Sequence, residues 1–259
     1  MGMVPVWGLS PEGSVVSKEL RVSPPALAWQ GDVPDFARRL SASGIIITDL
    51  ESGQTVFQKN ASMEMPMASL TKLMTALVIV ENHAMNEKVR VPDDIEDVPG
   101  NSVHLPAGDT FTVGDLLSAL LIMSSNDAAV TLAEFHSGSE SEFAKEMNAR
   151  AQVLGLRDTH YDNASGLDSR RQTSTPRDVA LLGTFVMRIP EIAERMSTAS
   201  MTITSLEGNS MSLSHTNNLV HGSQSSVVAG KTGTTDAAGQ CLLSIVVEKD
   251  RTYVVVLLH

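Results

Sequence analysis

Short apolar runs stand toward both ends of this chain, and longer stretches with helical spacing stand between them. Residues 44–49 and 54–58 flank Glu51-Ser52-Gly53, the pattern of a hairpin. A helix is predicted over residues 69–81, with Pro66 just ahead of it as a boundary. A second is predicted over 113–123, opened by Thr112 and Asp115 as a capping-box pair, and a third over 127–136. A fourth, over 141–154, has Phe143, Met147, Ala151 and Leu154 on its apolar positions and stops at Gly155. Thr175-Pro176-Arg177-Asp178 is a start signal of cap, first-turn proline and acid, and that helix runs to about Arg188, before Pro190. Strands are expected over 226–235, 240–247 and 252–258, the last two joined at Lys249-Asp250. Those two are apolar on both alternating faces, so both faces of the sheet should be covered.

The order is strands, helices, strands. It predicts an α/β (α+β) domain, an antiparallel sheet made from both ends of the chain and covered by helices, with a helical insertion at about 83–190. Five of the eleven prolines (Pro5, Pro11, Pro24, Pro25, Pro34) fall in the first 34 residues. Residues 1–39 are therefore expected to form an extended or poorly ordered tail, and 40–259 the domain.

Composition narrows the function classes a little. Nineteen basic against thirty acidic residues leave a net charge of -11, which argues against a nucleic-acid binder, whose phosphate contacts need a basic face. The longest apolar runs, near 75–80 and 254–258, fall well short of the ~20 residues of a spanning helix. The single cysteine, Cys241, has no partner for a disulfide, and its apolar strand setting predicts a buried thiol. The seven histidines show no metal-ligand spacing, and no metal or cofactor is expected.

Three short segments carry the candidate chemistry. Ser69-Leu70-Thr71-Lys72 places a hydroxyl and an ammonium three residues apart at a helix start, on one face. A capping serine followed by a surface lysine would give the same four residues. Ser124-Ser125-Asn126 falls between two predicted helices, where Ser and Asn also serve as ordinary caps. Lys231-Thr232-Gly233-Thr234 lies in a predicted strand, where glycine permits close approach of another backbone or a ligand. Singly these patterns are weak. Together, in this order and separated by 55 and 107 residues (69 to 124, 124 to 231), they match the S-x-x-K, S-D-N and K-T-G set of penicillin-binding proteins and class A β-lactamases.

Residues 68–76, Ser125-Asn126-Asp127-Ala128-Ala129 and Lys231-Thr232-Gly233-Thr234-Thr235 resemble the low-molecular-mass D-alanyl-D-alanine carboxypeptidases. So do Met147-Asn148-Ala149, Leu154-Gly155, Ser165-Gly166-Leu167 and Ala238-Gly239, and the resemblance covers about residues 40–259. It implies the penicillin-binding, β-lactamase-like transpeptidase fold. It also implies a serine D,D-carboxypeptidase that acts on peptidoglycan stem peptides ending in D-Ala-D-Ala and is acylated by β-lactams. Ser69 would be the nucleophile and Lys72 its base. Ser124 would relay the proton to the leaving D-alanine, and Asn126 would hold the substrate amide and orient Lys72. The backbone N–H groups of Ser69 and Thr234 would form the oxyanion hole. Lys231, Thr232, Gly233 and Thr234 would bind substrate, Lys231 mainly through its field. For Lys72 to act as a base it must lose a proton normally held to about pH 10.4; bringing that to about 7 costs about 4.6 kcal/mol. An ammonium 4 Å away would supply about 4 kcal/mol at an effective dielectric of 20, so Lys231 is expected to provide much of the shift and burial the rest.

The chain departs from the pattern in two places. Position 125 is serine, where lactamases have aspartate and this family often has glycine. The chain also ends at His259, where members of the family usually continue into a β-rich domain and an amphipathic anchor. Membrane attachment is thus expected only through a segment outside this chain, and an extracytoplasmic location with an export signal outside it too. A class A β-lactamase is one alternative, but there is no E-x-x-L-N and no glutamate between Met147 and Ile189 to deacylate the enzyme. A non-catalytic penicillin-binding sensor is another; it would keep Ser69 without peptide turnover.

Overall fold

The computed structural model describes residues 4–9, 15–20, 40–222 and 225–259. Strands β1 (Val4–Leu9) and β2 (Val15–Leu20) pair as an antiparallel ribbon within the stretch expected to be an extended tail. The remainder of that expectation falls outside the described residues.

The main sheet has five antiparallel strands. They are β3 (Gly44–Asp49), β4 (Thr55–Lys59), β9 (Val227–Thr235), β10 (Gly239–Glu248) and β11 (Arg251–Leu258), in the order β4-β3-β11-β10-β9. The predicted hairpin forms, closed by Gly53 in a left-handed conformation (φ 69°) and by Asp49 Oδ1 accepting the N–H of Ser52 at 2.8 Å. On β11, Val254, Val256 and Leu258 are fully buried while Val255 and Leu257 on the other side are only partly covered, and Val247 on β10 is exposed, so the expected cover on both faces is complete on one face only. Cys241 on β10 is a buried thiol, and burial pushes its pKa up, as its apolar setting foretold.

Six helices lie between the two halves of the sheet. They are α1 (Lys72–Asn82), α2 (Val113–Ile122), α3 (Asn126–Ser137), α4 (Glu140–Leu154), α5 (Pro176–Val186) and α6 (Pro190–Ser197). Helix α1 touches all five of the others, which is why it is apolar all round: Leu73, Met74, Leu77 and Ile79 are each fully buried. Each such side chain contributes about 1.5–3 kcal/mol by leaving water. The start signals act as read. Thr112 and Asp115 form a reciprocal capping box on α2, and Thr175 Oγ1 accepts the N–H of Asp178 at 3.1 Å on α5. Gly155 closes α4 in a left-handed conformation (φ 79°). The far ends of α1 and α3 are joined through His83 Nε2 and His136 Nδ1, 2.8 Å apart.

Three features differ from the sequence expectation. The helix expected over 69–81 opens as a 3-10 turn, Ala68–Thr71, and becomes α-helical only at Lys72. Pro190 does not close the helical region; it occupies the first turn of α6, where its missing N–H costs nothing. Residues 200–214, for which no element is predicted, form the hairpin β7 (Ser200–Thr204) and β8 (Ser210–Ser214). A shorter pair, β5 (Lys88–Arg90) and β6 (Thr110–Thr112), precedes α2.

Candidate active site

The 3-10 turn carrying Ser69 lies against β9 and β10, at the open edge of the main sheet. Two glycines let the backbones meet there. A Cβ on Gly233 would stand 2.8 Å from Ser69 N, and one on Gly166 would stand 2.1 Å from the Ala68 carbonyl oxygen. Gly166 also has φ 89°, a conformation that other residues rarely adopt. Ala68 itself sits at φ 48°, and Ser124, in the turn between α2 and α3, at φ 63°. Left-handed backbone at two such positions costs roughly 1–3 kcal/mol each and persists because packing over-determines it.

Lys72, the first residue of α1, is fully buried. Its Nζ lies 3.1 Å from Ser69 Oγ, 2.7 Å from Asn126 Oδ1 and 2.5 Å from the carbonyl oxygen of Ser165. The last two can only accept hydrogen bonds. A neutral Lys72 amine has two N–H groups, which those acceptors use, so its lone pair faces the Ser69 hydroxyl. Burial holds the Lys72 pKa well below the ordinary lysine value, the charge of Lys231 lowers it further, and the carboxylates of Asp127 and Glu140 oppose both. The expected order of causes is therefore reversed: burial leads and Lys231 follows. Lys231 is itself fully buried and burial alone brings its pKa to about 7, so it is a weaker positive charge than a surface lysine.

Lys231 Nζ donates to Ser124 Oγ at 2.6 Å and to the Thr232 carbonyl at 2.7 Å. Thr232 Oγ1 donates to Thr216 Oγ1 at 2.6 Å. A cavity of about 1040 Å³ opens beside these groups, lined among others by Ser69, Asn101, Ser124, Thr216, Thr232 and Thr234. Ser69, Lys72 and Asn126 thus form one hydrogen-bonded group and Ser124 and Lys231 a second. Gly233 packs on Ser69, and Thr232 and Thr234 face the cleft. Asn126 has a second partner. Its Nδ2 donates to the Pro99 carbonyl at 2.7 Å, so that group ties down the neighbouring loop, and only its Oδ1 points to Lys72.

Several participants were not singled out by the sequence. Asp127 is buried and accepts from Ser102 Oγ (2.5 Å), the N–H of Leu105 (2.9 Å) and Ser125 Oγ. Ser125 Oγ also accepts the N–H of Val103 at 3.1 Å, so the serine at the departing position bridges α3 to the 99–105 loop. The Ser165 carbonyl is a backbone group and leaves no side-chain signature, although Ser165-Gly166-Leu167 belongs to the stretches that carry the family resemblance. Among the described residues, no cluster of three or more His, Cys, Asp or Glu side chains is arranged to hold a metal ion.

Comparison with known proteins bears on this geometry. A profile of the D-alanyl-D-alanine carboxypeptidase family, peptidase S11, matches residues 32–259. The D-alanyl-D-alanine carboxypeptidase DacF of Bacillus subtilis is 31% identical over 228 residues, 86% of this chain and 58% of that protein. A D-alanyl-D-alanine endopeptidase of Pseudomonas aeruginosa is 29% identical over 88% of this chain and 73% of its own length. The crystal structure of the Streptomyces K15 DD-transpeptidase superposes with a TM-score of 0.79 at 28% identity, covering 85% of this chain and 90% of that one. This chain spans little more than half the length of the Bacillus relative. With the profile matching residues 32–259, the chain belongs to the D-alanyl-D-alanine carboxypeptidase family, peptidase S11.

Proposed function

We propose that the chain is a serine-type D,D-carboxypeptidase that removes the terminal D-alanine from peptidoglycan stem pentapeptides, and that β-lactams acylate the same serine. The observation that carries this reading is the three-way setting of Lys72 Nζ, which turns its lone pair onto Ser69 once the amine is neutral. In acylation, Ser69 Oγ attacks the carbonyl carbon of the penultimate D-alanine as its proton passes to Lys72. The N–H groups of Ser69 and Thr234 receive the developing oxyanion, each such donor contributing about 10² to 10³ in rate. The C–N bond breaks, and the departing amine takes, through Ser124, the proton that Lys72 received, the Ser124 hydroxyl being held within 2.6 Å of Lys231 Nζ. Water then attacks the ester carbonyl as its proton passes to Lys72, the C–O bond to Ser69 breaks, and Lys72 returns that proton to Ser69 Oγ. Lys231 and Thr234 would receive the substrate's free carboxylate. The enzyme would act outside the cytoplasmic membrane, where peptidoglycan lies; among the described residues no helix is long and apolar enough to cross a membrane.

A β-lactamase reading finds little support. Asp162, the carboxylate in the stretch where a deacylating base would fall, is engaged by His160, Ser169 and Arg171. The decisive experiment is mass spectrometry of the intact protein after incubation with penicillin, together with an assay of D-alanine released from a D-Ala-D-Ala peptide. The expected result is one penicilloyl group on Ser69 that persists for minutes, none on Ser69→Ala, and D-alanine release by the wild type alone. Equal labelling of Ser69→Ala would overturn the assignment. Rapid repeated penicillin hydrolysis would indicate a lactamase, and labelling without D-alanine release a sensor.

A further inference from the structure

The Ser165 carbonyl is aimed at Lys72 from a segment that belongs to no helix or strand. Side chains hold that segment in place, and two of them do most of it. Gln172, only 4% exposed, accepts the N–H groups of Asp162 and Asn163 on its Oε1 at 3.0 and 3.1 Å. Its Nε2 donates to the Leu167 carbonyl at 2.9 Å and to Asn163 Oδ1 at 3.2 Å. Asn163 Oδ1 in turn accepts the N–H of Gly166 at 2.7 Å, and Asn163 Nδ2 donates to the Leu167 carbonyl at 3.0 Å. From the core side, Thr75 Oγ1 donates to the Ala164 carbonyl at 2.7 Å, and Glu140 Oε1 accepts the N–H of Ala164 at 3.0 Å. The Gln172 amide must both accept from two backbone N–H groups and donate to two oxygens, so a carboxylate or a hydrocarbon cannot replace it.

We propose that Asn163 and Gln172 are positioning residues: their interlocked amides aim the Ser165 carbonyl at Lys72 Nζ, so that the lone pair of the neutral lysine is held on Ser69. Neither side chain touches the reacting atoms; both act through the 162–167 segment. The proposal rests on Lys72 being the base for Ser69. A carbonyl that accepts from Lys72 also favours its protonated form. Displacing it has two effects of opposite appearance. The maximal rate of acylation falls, because the lone pair is no longer directed. The pH below which acylation fails moves lower, because the ammonium has lost an acceptor.

The test measures the rate of acylation by penicillin across a pH series for the wild type and for Gln172→Met, which keeps length and adds no charge. Expected are a maximal rate lower by about tenfold or more, an acid limb displaced to lower pH, an unchanged half-saturating penicillin concentration, and one label per chain at completion. An unchanged rate and acid limb in a fully labelled variant would overturn the proposal. So would fewer labelled molecules that react at the wild-type rate and pH dependence, since that is the mark of a purely structural role. Asn163→Ser removes the acceptor of the Gly166 N–H, is expected to show the same pattern, and decides the matter if Gln172→Met does not fold. A wild type that takes up no penicillin would instead overturn the reading of the site itself, and this proposal with it.

Discussion

A lysine inside a protein holds its proton less tightly than the same lysine in an unfolded chain. Lys231 titrates at about 7 because of burial, against an ordinary value of 10.5. Between those two pH values the unfolded chain carries a proton on this residue and the folded chain does not. Unfolding therefore takes up a proton, and stability rises with pH through that window; below about 7 the buried Lys231 ammonium is at its most destabilising. Lys72 displaces stability in the same direction, through burial first and the Lys231 charge second. Replacing Lys231 by methionine removes the effect while keeping the volume. Thermal melts should show Lys231→Met more stable than the wild type at pH 7, by a few degrees at about 2–4 °C per kcal/mol. The climb in wild-type stability between pH 7 and pH 10 should flatten in the variant, and penicillin acylation should be lost or much slowed. Parallel stability–pH curves for the two proteins would show that Lys231 is not held in its neutral form. On the proposed function, these two lysines are maintained against the interest of stability.

At the scale of the element, the deciding piece is the Ala68–Thr71 turn, held between Gly166 and Gly233. The two contacts predict different outcomes. Gly166→Ala meets the Ala68 carbonyl at 2.1 Å and adds a side chain at φ 89°, so it should destabilise the fold by roughly 1–3 kcal/mol from backbone strain alone. Gly233→Ala carries no such strain but presses on Ser69 N at 2.8 Å. Something must shift to relieve that contact, so it should also lose some stability, and lose about a hundredfold in acylation rate among folded molecules, as for a reacting group moved by about an ångström. Wild-type acylation by Gly233→Ala would mean that the turn yields without consequence for Ser69. The same turn shows what the sequence could and could not reveal. Ser69, Lys72, Ser124, Asn126 and Lys231 were legible because their side chains are chemically distinctive and arrive as a set. The 3-10 start was not, because it is imposed by glycines about 100 and 160 residues further along the chain. The Ser165 carbonyl was not, because any residue type supplies one. The β7–β8 hairpin was obscure because only Ile203 and Leu213 in it are fully buried, leaving serine and threonine to dominate a weak alternation. Pro190 is compatible with either the end or the start of a helix, and only packing decides which.

At the scale of the whole molecule, the sheet joins segments that are far apart in the chain. Strand β3 pairs with β11, Ile45 opposite Leu257, and β10 reaches β3 only through β11. Loop closure over such a span must come before those contacts reward it, so refolding from denaturant is expected to be slow, in milliseconds to seconds or longer. Deleting Arg251–Leu258 leaves β3 and β10 without their shared neighbour. The shortened chain should show no cooperative melt and no penicillin labelling; a cooperative transition in it would mean that the helices and β9 stand without a closed sheet. The strand order has a further consequence during synthesis. Lys231 follows Ser69 by 162 residues, an interval of roughly 8 to 30 s at the usual rate of translation. Throughout it, Ser69 has been made while the strand that packs on its turn has not, so on the proposed function a nascent chain cannot assemble its reacting groups until β9 has been added.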